Sequence, residues 1–262
     1  VGVAKAEGVD LSSKKRLTGS KGLGGLDISF LRKQKYKKIK ASTLDSCKLT
    51  PAPCSASEMS AYTIHFDDGH HFDACTCGHS PHMTIDNMVS RFGQVPNAIR
   101  KRVKSIMAGD SQGPGGGAET AGDRSTYFGD FGVSVFIHES AHVLDGTAAG
   151  DGHGFSGNGN IWTDAINADS CIPDDYAAAS IVEDFAQVVV LYTYLQHNKH
   201  NWNSPFRGGP KNERSKDSVQ GCIDHQLVLV AKLLKNSMPA PDGFTNNLDV
   251  NDARLPATVN PV

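Results

Sequence analysis

The chain has 262 residues, enough for one or two domains with a sizeable core. Its 39% hydrophobic content, formal charge of −2 and mean hydropathy of −0.33 fit a globular chain, and no run of about 18 apolar residues offers a membrane span. Residues 1–60 carry 12 Lys+Arg against 5 Asp+Glu, a net of +7, and the remainder carries 14 against 23, a net of −9. One tyrosine in the densest basic run and an acidic remainder speak against nucleic-acid binding.

From the N-terminus, residues 1–60 read as a basic extension, with strand-like stretches at 26–30 and 36–39. The run from Arg32 to Lys40 reads as a solvated strand or arm, with contact to an anionic polymer or to the protein's own acidic body as alternatives. Residues 61–66 form a strand pattern, and His70-His71 a turn after it. Six cysteines, an even number, point to three disulfides and an oxidising compartment. A Cys171–Cys222 bond leaves Cys75 and Cys77, too close to pair with each other, to meet Cys47 and Cys54. A small structural zinc site at Cys75, Cys77, His79 and His82 is the rival reading of that stretch. Residues 83–92 and 96–107 read as helices, and 111–118 as a flexible loop without the Lys-Ser/Thr of a phosphate loop. Residues 125–128 suit an edge strand. No N-glycosylation sequon occurs, and the chain opens at Val1 with no charged-then-apolar leader, so a secreted chain has already lost its signal.

Residues His138-Glu139-Ser140-Ala141-His142 are the most informative string. Positions i and i+4 of a helix share one face, so two imidazoles there can grip one zinc ion while the adjacent glutamate works on a metal-bound water. Apolar residues at Val133, Phe136, Ile137, Ala141 and Leu144 supply a helical stripe, and Gly146 a plausible stop. A Gly-rich loop follows over 147–160, then helices at 162–168, 180–197 and 224–236, and a Pro- and Asn-rich tail over 239–262. Ser180 suits an N-cap, with Glu183 three residues on. Glu183 is then either a third zinc ligand or the second half of a capping box, with Asp184 next in line as a ligand.

Tyr176 precedes Glu183-Asp184-Phe185-Ala186-Gln187 by seven residues, and Asp145 follows His142 by three. In these features the chain resembles the gluzincin metallopeptidases, and within them the family of the anthrax lethal factor catalytic domain, over roughly residues 130–197. Gln187 stands where that family has an acid and Ala141 where it often has glycine. The resemblance implies an α+β zincin-like fold with a small mixed sheet, an active-site helix bearing the histidines and a second helix bearing the glutamate ligand. It implies Zn2+ held by His138, His142 and Glu183, Glu139 as general base, and Tyr176 as a donor to the oxyanion. Asp145 either orients His138 or His142 through a ring N–H or is an exposed residue at the helix end.

The expectation is therefore a secreted, disulfide-bonded zinc endopeptidase, monomeric and acting on protein or peptide substrates. Its catalytic domain would cover 61–262, with the basic extension over 1–60 packed on or near it. The alternative is a catalytically silent zincin-fold protein that binds rather than cuts.

Overall fold

A computed structural model describes residues 9–18, 22–26, 28, 31–42, 45–47, 54–78, 82–109, 116–148, 154–157, 159–197 and 221–234. In chain order the strands are β1 (Lys15–Arg16), β2 (Tyr36–Ala41), β3 (Met59–Phe66), β4 (His71–Cys77), β5 (Ser105–Ala108), β6 (Ala118–Ala121), β7 (Arg124–Tyr127) and β8 (Cys171–Ile172). The helices are α1 (Ile85–Phe92), α2 (Asn97–Arg100), α3 (Val133–Ala148), α4 (Ile161–Ala168), α5 (Ile181–His197) and α6 (Asp224–Leu233). They divide between two compact units, Leu31–Leu144 and a split unit of Val1–Phe30 with Asp145–Val262. The boundaries fall at 30/31 and 144/145, and residue 60 lies inside β3.

The 31–144 unit is built on a six-stranded mixed sheet of order β2-β3-β4-β5-β7-β6. β2 pairs antiparallel with β3, Tyr36 against Phe66 through Ala41 against Ala61. β4 returns from the turn at Asp67–His70, then pairs parallel with β5, which pairs parallel with β7. A parallel pair needs a crossover, and α1 and α2 supply it between β4 and β5. Thr84 Oγ1 caps α1 by accepting from Asn87 N at 3.2 Å, and Met88, Val89 and Phe92 form its buried face. Phe92 meets the Phe72 ring edge-on at 4.7 Å, beside Phe66.

Buried under these rings is Arg100. Its guanidinium lies 4.5 Å from the Phe66 ring centre, donates Nε to Val95 O at 2.9 Å, pairs with His70 Nδ1 at 2.9 Å and bonds the Asp68 carboxylate. Burial, then the Arg100 charge, push the His70 imidazole down to about 4, so it is neutral at physiological pH. At the other end of the unit, Cys47–Cys75 and Cys54–Cys77 bridge into a cluster with Ala61 and Met107.

In the split unit β1 pairs parallel with β8, and Cys171–Cys222 ties β8 to the turn before α6. Every residue of α5 from Phe185 to Leu195 is buried, consistent with a helix central to its unit. Trp162 of α4 packs edge-on against Phe185 at 5.0 Å. Its Nε1 donates to Asp184 Oδ2 at 3.1 Å.

Several expectations change. The helix expected over 96–107 is only α2; Ser105–Ala108 are buried on both faces as the parallel strand β5, and a short apolar run does not distinguish the two by period. The expected edge strand at 125–128 is β7, an inner strand; β6 and β2 are the edges. Gly146 does not stop its helix, which runs to Ala148, since an interior glycine costs only about 1 kcal/mol. Leu26 and Ile28 are buried outside any strand, while Asp27, Ser29 and Phe30 lie outside the described residues. So do the tail, His79, residues 149–153 and the end of the last helix beyond Leu234. The zinc reading of Cys75 and Cys77 gives way to their disulfides. Among the described residues no helix is long and apolar enough to cross a membrane.

Candidate metal centre

His138, Glu139 and His142 belong to the 31–144 unit, and Asp145, Tyr176 and Glu183 to the split unit. On α3 the i, i+4 spacing does what the helix period dictates. The His138 and His142 Nε2 atoms approach to 2.9 Å, with the rings nearly perpendicular. His138 is buried and His142 half-buried. Ser140, fully buried between them, donates its hydroxyl to Phe136 O at 2.7 Å and asks nothing of the histidines.

Glu139 is buried as well, and its Oε2 accepts from Thr120 Oγ1 at 2.7 Å. Thr120 sits on β6 and also lies 3.1 Å from Ser125 Oγ on β7. Tyr127 stacks on Phe136 at 4.1 Å; burial, then the Glu139 charge, hold its phenol well above its usual range, so it remains protonated. Thr120 and Tyr127 were missed as neighbours of Glu139. Their signal was the pair of short runs flanking Gly122-Asp123, a two-residue hairpin loop whose first residue has φ +64°.

In the split unit, Ser180 Oγ accepts from Glu183 N at 3.2 Å, so the N-cap half of the capping box is present at the start of α5. Glu183 is half-buried there. Asp184 accepts from Trp162 and from Gln226 Nε2 and is fully buried. Burial, with the Asp169 and Asp174 charges adding, raises its carboxyl well above the usual range, a poor state for a ligand. Gln187 donates to Asp174 Oδ2 at 2.8 Å. Tyr176 is 56% exposed. Asp145 is 4% exposed, which excludes the exposed helix-end reading. Its carboxylate accepts from Ser156 N at 2.7 Å and Ser156 Oγ at 2.8 Å. Within the 31–144 unit, His138 and His142 offer two ring nitrogens that one metal ion could share.

A family profile described as conidiation-specific protein Con-13 matches residues 17–204. The chain belongs to the Con-13 family. It is similar to conidiation-specific protein 13 of Neurospora crassa, at 33% identity over 150 residues, which cover 54% of this chain and 42% of that protein. The match therefore spans less than half the length of that relative. No solved structure matches the chain.

Con-13 membership corrects the peptidase reading. The chain is not assigned to the gluzincins or to the lethal factor branch, and the expected zinc endopeptidase activity, with its hydrolase and protease descriptors, is withdrawn: neither the family nor the relative is described by a reaction. The physical reason is that the quoted pattern has local work to do. Ser180 caps Glu183 N, Asp184 and Phe185 are core, and Gln187 holds Asp174. A His-x-x-x-His pair on a helix fixes two nitrogens, not a reaction. With the activity gone, Glu139 and Tyr176 carry no catalytic assignment. The disulfides stand, and three of them fit maturation in an oxidising compartment.

Proposed function

We propose that this Con-13 family chain is a secreted protein that binds zinc and acts by binding rather than by turnover. The observation that supports it is the 2.9 Å approach of His138 and His142 Nε2. Zinc–nitrogen bonds of about 2.0–2.1 Å at a tetrahedral angle set two ring nitrogens about 3.3 Å apart. A small ring rotation covers that difference, and neutral imidazoles with a carboxylate are a donor set zinc accepts. Glu183 is proposed as the third ligand on the sequence pattern alone. When bound, the ion supplies a fixed positive charge. The disulfides support secretion, and the relative's name speaks of conidiation and of no reaction.

The test is metal content after stripping with EDTA and reloading with zinc. About one zinc per chain is expected, lost in His142→Ala and lost or greatly weakened in Glu183→Ala. Zinc retained unchanged in Glu183→Ala would leave that residue a helix cap and nothing more. A wild-type chain that takes up no zinc would overturn the reading.

A further inference from the structure

Among the described residues, β2 is an outer strand of the six-stranded sheet. Its register with β3 and the Asp67 N→Lys35 O hydrogen bond of 3.0 Å fix which backbone groups are already used. Hydrogen-bonded pairs alternate along an antiparallel ladder, so Lys35, Lys37, Ile39 and Ala41 face β3. The N–H and C=O groups of Tyr36, Lys38 and Lys40 point to the open edge. Lys37, Lys38, Ile39 and Lys40 are all exposed, Ile39 at 55%, while Tyr36 is half-buried against Phe66 and bonds Asp86. Residues 31–42 carry Arg32, Lys33, Lys35, Lys37, Lys38 and Lys40 and no acid. The partner found for this run is Asp86, which takes Lys38 Nζ at 2.7 Å.

Lysines on an open edge repel a second copy of the same edge. They favour the opposite case, an incoming strand that carries acids. We propose that the β2 edge captures an extended acidic segment of a partner protein by antiparallel strand addition. Main-chain bonds to Tyr36, Lys38 and Lys40 hold the segment, and side chains opposite Lys35, Lys37, Ile39 and Lys40 select it. Those positions ask for acids facing the lysines and an apolar residue facing Ile39. The surface lies wholly in the 31–144 unit and owes nothing to the zinc reading.

The probe is a capped, fluorescent peptide of the length of β2, glutamate–valine–threonine–glutamate–valine–glutamate, titrated into the full chain with EDTA present. Saturable binding is expected. N-methylating the threonine and the second valine, whose N–H groups would face Lys38 and Tyr36, should abolish it. N-methylating the first valine and the middle glutamate, whose N–H groups would face away, should not. Reversing Lys37 and Lys40 together to glutamate should weaken binding about tenfold, while reversing the exposed Lys101 and Lys104 leaves it unchanged. Equal binding of the two N-methylated probes would overturn the proposal in favour of an ion-exchange surface of the kind an acidic polysaccharide uses. Absence of binding would overturn it too.

Discussion

Asp169 gives the split unit a stability that falls as pH rises, the reverse of the usual carboxylate. It ends α4 as its C-cap and accepts from three α6 groups, His225 N at 3.1 Å, Gln226 N at 3.0 Å and His225 Nδ1 at 2.8 Å. Burial outweighs these donors and raises the carboxyl from 3.8 to about 6. Between those two values the folded chain holds a proton that the unfolded chain has released. Stability from this group is therefore full below about pH 4 and is lost as pH climbs through 6. A rise of that size corresponds to about 3 kcal/mol. Asp169→Asn removes the titration, at the cost of turning an NH2 group toward a donor. The variant is less stable at pH 4, and its deficit should shrink by up to about 3 kcal/mol by pH 7.5. The assay is urea unfolding at a series of pH values, followed by the fluorescence of Trp162, buried in the same unit. The same cycle in a His225→Gln background separates the contribution of this hydrogen-bond partner from that of Asp169. A deficit constant to within about 0.5 kcal/mol from pH 4 to 7.5 would refute the reasoning.

Two further perturbations test the packing. Gly154 has φ +81°, and a Cβ there would stand 2.9 Å from Asp145 Oδ2, so Gly154→Ala should cost about 1–3 kcal/mol in a thermal melt; an unchanged melting temperature would sink the Asp145–Ser156 anchor. Arg100 donates in three directions from a fully buried position, so Arg100→Lys should destabilise the 31–144 unit by about 2 kcal/mol or more despite keeping the charge, as read by urea unfolding.

Local signals in the sequence were read well wherever one element satisfied them. The β2 and β3 strands, the α1 helix, the Ser180 cap and the long apolar body of α5 all depend on neighbours close in sequence. The disulfide pairing was only partly legible: Cys75 and Cys77 are too close to bridge each other, but the Cys171–Cys222 bond and the partner of Cys47 both needed the structure. β5 was illegible for the opposite reason. A strand buried on both faces has no period of its own, and its identity comes from β4 and β7, far away in sequence. Arg100 shows the same limit: nothing near it in sequence announces that the last residue of a one-turn helix will be buried under phenylalanines.

The Glu139 environment explains how a motif can be present and its usual activity be the wrong inference. In a helix the residue after His138 is turned by about 100° from the histidine face. Here that turn directs Glu139 toward the β6–β7 hairpin, where the Thr120 hydroxyl meets its carboxylate at 2.7 Å. A buried carboxylate needs such a donor whether or not a metal is near, since burial without one costs several kcal/mol. The contact ties the middle of α3 to the sheet and gives a glutamate at that position a structural reason. The two histidines keep theirs separately, as nitrogens that converge one helical turn apart. Read this way, the five-residue string contains two independent devices, a strand-to-helix tie and a candidate ligand pair, and only the second bears on what the chain binds.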